Sequence, residues 1–116
     1  SEPETRAILA ALDQLHPSLI ISIHSIDGGR ECNNFDGPAE PIAKIMSEHN
    51  PYRVAPTIGY ATPGSMGTYC GIDQKIPMIT LELPRSASGD ESWQRNREAL
   101  LAAIAFSQTP VGGVTE

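Results

Sequence analysis

The sequence predicts an α/β fold, a largely parallel sheet with helices on both faces, and three observations lead there. Two continuous apolar runs, Ser18 to His24 (SLIISIH) and Ile76 to Leu83 (IPMITLEL), have the length and β-branched content of strands buried on both faces. Each is flanked by segments in which apolar residues recur at helical spacing, and strands that alternate with helices pair in parallel because the connection must cross over. With 116 residues, 40% of them hydrophobic and 19% charged, the chain supports one modest core. Residues 1–107 are therefore expected to form one domain and residues 108–116 a tail.

The elements follow in order. Ser1 with Glu4 three positions on fits a capping box, and Ile8, Ala11, Leu12 and Leu15 predict a first helix ending near His16-Pro17. After the SLIISIH strand, Gly28, Gly29, Asn33, Asn34, Asp36 and Gly37 predict a loop. Pro38 can open a helix through roughly Asn50, with Ile42, Ile45 and Met46 inward and Pro41 in its first turn. A short extended piece is expected around Tyr52 to Val54, then a turn-rich stretch, YATPGSMG, from Tyr60 to Gly67. IPMITLEL is the second core strand, with Pro77 tolerable only at its beginning. Asp90 is expected to cap a last helix whose Trp93, Leu100, Leu101 and Ile104 share one face.

Composition excludes several classes of function. Eight basic against 14 acidic residues give a net charge of −6, which leaves no electrostatic footprint for nucleic acid or anionic lipid. The longest apolar stretch, Leu19 to Ile23, is far short of a membrane span. Cys32 and Cys70 have neither the number nor the spacing of a disulfide framework or a structural zinc site, so two free thiols are expected. No G-x-S-x-G elbow, phosphate-binding loop, dinucleotide fingerprint or His-Glu-x-x-His is present. The chain opens without an initiator Met on a helix signature, so a natural N-terminus further upstream is expected and localisation is not legible.

In α/β sheets ligands bind beyond the carboxyl ends of the strands, where loops gather. His24 closes the first core strand and Glu82 lies near the end of the second, so both are expected to face one crevice. An imidazole there serves equally as a hydrogen-bonded structural group or as a metal ligand. A carboxylate inside MITLEL must face solvent at an edge, pair with a cation such as Arg85, or perform work that offsets its desolvation. On the residues alone, ion pairing and catalysis are both open. Tyr60, on a turn with Pro63, Gly64 and Gly67, is either a phenol that swings onto a ligand or an interfacial tyrosine. His16 and His49 read as helix C-terminal residues with no chemical role.

Taken together, SEPET at Ser1 to Thr5, SIHS at Ser22 to Ser25, Tyr60 and TLEL at Thr80 to Leu83 resemble the second half of the zinc carboxypeptidase family. The interval of twenty-two positions from Tyr60 to Glu82 is similar to that between the family's mobile tyrosine and its catalytic glutamate. Within the family, SEPET, GYATPGS at Gly59 to Ser65 and the nearby Cys70 look most like the murein peptide amidases, which cut the γ-D-glutamyl to diaminopimelate bond. Those enzymes tend to have His-Asp-Pro where this chain has His24-Ser25-Ile26, which is closer to the digestive carboxypeptidases.

The resemblance implies zinc as cofactor, His24 as a metal ligand, Glu82 as the general base, and Tyr60 and Ser25 as substrate-binding residues. It places the segment Ser65 to Tyr69, SMGTY, in the pocket for the side chain beyond the scissile bond. The segment has hydroxyls and no acid, which favours a zwitterionic end over ordinary Lys or Arg. It implies a peptide or murein-peptide substrate, a cytoplasmic location if the amidase resemblance holds, and an upstream half carrying a His-x-x-Glu motif that this chain lacks. The alternatives are a general metallocarboxypeptidase, an aspartoacylase or succinylglutamate desuccinylase-like deacylase, and a non-catalytic binding domain.

Overall fold

The computed structural model of the chain describes residues 2–56 and 66–108. Its elements are α1 (Pro3–Leu15), β1 (Ile20–Ile26), β2 (Cys32–Asp36), α2 (Glu40–Ser47), β3 (Arg53–Pro56), a π-helical segment (Gly67–Asp73), β4 (Met78–Pro84) and α3 (Gly89–Ser107). The strands form one four-stranded sheet in the order β1-β4-β2-β3. β1 is parallel to β4 and β2 to β3, while β4 and β2 run antiparallel, so the α/β class stands with a mixed sheet.

β4 sets the core. Its side chains alternate across the sheet, so Ile79 and Leu81 fall on one face, where both are almost fully buried. They pack with Ile42, Ala43 and Met46 of α2, Ala99 and Ala103 of α3, and Tyr52. Burial of each such aliphatic side chain stabilises by about 1.5–3 kcal/mol. Ile21, Phe35, Val54 and Leu83 lie on the same face and close the margins of the cluster. The opposite face carries Ser22, His24, Asn34, Arg53, Thr80 and Glu82.

Several expectations are corrected. SLIISIH is not buried on both faces: β1 lies at the sheet edge, no described strand pairs with its outer side, and Ile23 is 58% exposed. Cys32 to Asp36 is a strand instead of a loop. Its Asn and Asp residues disfavour strands by propensity, and pairing on both sides overrides that preference. The cap of α3 is Ser88, not Asp90: Ser88 Oγ accepts from the Glu91 N–H at 3.1 Å and Glu91 Oε1 accepts from the Ser88 N–H at 2.9 Å. These bonds hold the Glu91 carboxyl below its usual range.

At α1 the N-cap is Glu2 with no side-chain bond, and Pro3 opens the helix; Ser1 lies outside the described residues. No residue of α1 is buried, and Leu15 is 74% exposed. On α3 the core takes Asn96, Ala99 and Ala103, while Trp93, Leu101 and Ile104 face outward. The turn-rich stretch at Tyr60 falls, up to Ser65, outside the described residues, as does the tail from Thr109. Among the described residues no helix is long and apolar enough to cross a membrane.

A buried amide cluster fastens the sheet to α3. Asn33 Nδ2 donates to Asn50 Oδ1 at 3.0 Å and Asn50 Nδ2 returns the bond to Asn33 Oδ1 at 2.9 Å. Asn50 Nδ2 also donates to Asn96 Oδ1 at 3.1 Å. Asn96 Nδ2 in turn reaches the Tyr52 hydroxyl at 3.3 Å and the Ser92 carbonyl at 2.9 Å. β2, the segment after α2, and α3 are thus joined by groups that satisfy one another out of water.

Asn50→Ala removes the shared member and strands amide groups of Asn33 and Asn96, each of which costs about 1–3 kcal/mol when buried without a partner. A loss of about 3 kcal/mol is expected in urea unfolding followed by circular dichroism, against less than about 0.5 kcal/mol for the exposed Lys44→Ala.

Candidate functional site

The register of the sheet assembles one row of chemically active side chains. Parallel pairing sets His24 of β1 beside Glu82 of β4, and antiparallel pairing sets Cys32 of β2 on the other side of Glu82. Arg53 of β3 follows Cys32. Neighbouring strands lie about 4.8 Å apart and side chains in register point to the same side, so His24, Glu82, Cys32 and Arg53 share one face. That face is turned away from α2 and α3. The next row on it is Ser22, Thr80, Asn34 and Ala55.

His24 is exposed, and its Nε2 lies 2.9 Å from Ser22 Oγ. It does not close its strand, which runs two residues further to Ile26. Glu82 is half-buried. Arg85, the sequence-based partner for an ion pair with it, pairs instead with Asp27, and no described cation forms an ion pair with Glu82. The carboxylate is therefore positioned by its strand and not neutralised by a described side chain.

Cys32 sits between Glu82 and Arg53 and is buried. Burial pushes its thiol up, Arg53 draws it down, and Glu82 adds to the rise. Cys70 is buried too, and burial raises its thiol. Both are free thiols, in agreement with the sequence. Thiols so raised stay protonated near neutrality and are poor nucleophiles.

Ser25 follows His24 directly, so strand alternation carries its side chain to the opposite face of the sheet, away from the row. Only its backbone borders His24. Tyr60 and Ser65 lie outside the described residues. Tyr69, expected near a substrate pocket, lines a separate cavity of about 310 Å³ with Leu9, Leu12, His16, Gln74 and Ile76, between α1 and the π-helical segment. Neither His24 nor Glu82 borders that cavity.

A catalytic zinc ion takes three protein ligands and keeps one position open. Among the described residues no group of three or more His, Cys, Asp or Glu is placed to hold a metal. The donor set here fits one ligand position, the His24 imidazole, with the Glu82 carboxylate on the neighbouring strand. Cys32 and Arg53 were not legible as neighbours of Glu82, because their proximity depends on pairing between distant segments, one of which reads as a loop.

Over 104 residues the chain is 29% identical to murein peptide amidase A of Vibrio campbellii, covering 89% of this chain and 39% of that protein. Over 92 residues it is 28% identical to murein peptide amidase A of Escherichia coli, covering 79% of this chain and 36% of that protein. The crystal structure of murein-tripeptide amidase from Escherichia coli O157 superposes with a TM-score of 0.69 at 26% identity, over 95% of this chain and 43% of that one. No protein-family model matches. The chain is thus similar to these amidases in sequence and in fold, and it spans about two fifths of their length.

The thiol environment gives a direct check of the described packing. Cys32 and Cys70 are expected to react with iodoacetamide slowly at neutral pH in the folded chain and fully in urea, with mass spectrometry as the readout. Rapid native labelling of Cys32 would mean that β2 is not seated between β4 and β3.

Proposed function

We propose that this chain is the part of a murein peptide amidase-like hydrolase that carries the general base and one metal ligand. The observation that supports this best is the in-register pairing of His24 with Glu82 on the sheet face free of α2 and α3. It is joined by similarity to murein peptide amidases over 79–95% of the chain.

Hydrolysis of an amide needs a proton taken from the attacking water and a proton delivered to the leaving amine. Glu82, held on a central strand and free of any described ion pair, does both in turn: it accepts the first proton and hands it on as the bond breaks. His24 would hold a zinc ion, which when bound polarises the scissile carbonyl as a Lewis acid. Tyr60 and the backbone at Ser25 would bind the peptide. The substrate we propose is a γ-D-glutamyl-diaminopimelate peptide.

The remaining metal ligands are assigned to a partner half that brings a His-x-x-Glu segment, because the chain spans only 36–43% of its relatives. The outer edge of β1, unpaired among the described residues and bearing the exposed Ile23, is where we place that half.

Two outcomes are expected. The 116-residue chain alone binds zinc only weakly by calorimetry, since one imidazole does not make a site; tight one-to-one binding would mean the ligands are misassigned. When the complementary half and zinc are supplied, chromatography is expected to show release of the diaminopimelate-bearing product faster than release of C-terminal Arg, Lys or Phe. Glu82→Gln then lowers kcat by about 100-fold or more with zinc content unchanged, and a variant that keeps more than about a tenth of the activity sinks the assignment.

A further inference from the structure

We infer that Ser22 is a positioning residue: it holds the His24 ring as the Nε2–H tautomer and keeps the Nδ1 lone pair available for a metal ion. The inference rests on the zinc role proposed for His24 and adds the group that prepares the ring for it.

Ser22 and His24 are one strand repeat apart in β1, so their side chains rise from the same face, and Ser22 Oγ lies 2.9 Å from Nε2. Among the described residues the His24 ring makes no other hydrogen bond, and the residue is exposed. Without Ser22 it would be free to rotate about χ2 and to exchange tautomers.

A neutral imidazole has one N–H donor and one acceptor nitrogen, and the bond made by one nitrogen sets the state of the other. Were Ser22 to donate to Nε2, that lone pair would be used and Nδ1 would carry the proton, which leaves nothing for a cation. When Ser22 accepts from Nε2–H, Nδ1 is open. Two neighbours favour the second arrangement. Glu82, in register with His24, puts a carboxylate on this face and draws a cation to it. Thr80, in register with Ser22, puts a second hydroxyl on the same face, one strand spacing from the Ser22 proton. Ligating histidines are commonly held in this way, and loss of such a partner weakens metal binding about 10–100-fold.

The test reads the ring nitrogens directly, in the uniformly ¹⁵N-labelled 116-residue chain at a mildly alkaline pH. Long-range ¹H–¹⁵N correlation, with His24→Gln identifying the resonance among the three histidines, is expected to show a single Nε2–H tautomer. Ser22→Ala is expected to give a mixture, and Ser22→Thr to restore the single form. An Nδ1–H tautomer in the wild-type chain, or a tautomer that Ser22→Ala leaves unchanged, overturns the inference and leaves the zinc role of His24 standing. Zinc chloride is then titrated into the same sample to an excess large enough to populate the weak, single-imidazole binding expected of the chain alone. Perturbation at Nδ1 with Nε2–H retained supports both, and coordination through Nε2 overturns the inference. No response of His24 to zinc overturns the zinc role, with the tautomer result still readable.

Discussion

The two-residue period of β4 is the constraint on which the rest depends. Ile79 and Leu81 must lie on the helix side, because they fill the space between the sheet and the buried faces of α2 (Ile42, Ala43, Met46) and α3 (Ala99, Ala103). A slip of one residue would expose both and bury Thr80 and Glu82, at a cost far larger than any pairing alternative could recover. Core burial therefore fixes where Glu82 points. Since β1 and β2 take their register from β4, it also fixes His24 on one side of that carboxylate and Cys32 on the other.

The amide cluster plays a different part. Hydrophobic packing specifies which face is inside but is tolerant of small rotations of a helix against a sheet. Asn33, Asn50 and Asn96 remove that tolerance, since their bonds close only in one arrangement of β2, the segment after α2, and α3. The apolar contacts and the polar cluster thus act on the same joint, the first through area and the second through direction.

Much of this was legible in the chain, and the gaps have physical causes. MITLEL showed its strand plainly because it is enclosed by the core. The α/β class, α2 and the free thiols follow from periodicity and spacing, the zinc carboxypeptidase resemblance rests on SEPET, SIHS, Tyr60 and TLEL, and the amidase resemblance on SEPET, GYATPGS and Cys70. β2 was hidden because its sequence, CNNFD, carries turn-forming residues, whose side chains serve the amide cluster and the site face instead of a turn. β1 misled in the other direction. Its apolar run resembles a doubly buried strand, yet among the described residues one edge and part of one face have nothing against them. The sequence points to Asp90 where the structure has Ser88, since both are good capping residues and only the reciprocal bond with Glu91 decides between them.

At the end of β2 the chain turns through Gly37, whose backbone is left-handed with φ +64°, and there it lies directly against the backbone of Gly71 in the π-helical segment. A methyl group at Gly37 would collide with the Gly71 carbonyl, and one at Gly71 would come within 2.6 Å of the Asp36 Cβ. Two stretches of chain separated by more than thirty positions are thereby locked in a shared prohibition: neither glycine can drift while the other stays. Among divergent copies of this protein, the pair should be lost or kept together, and either one replaced alone would mark a chain in which the π-helical segment has moved off the sheet.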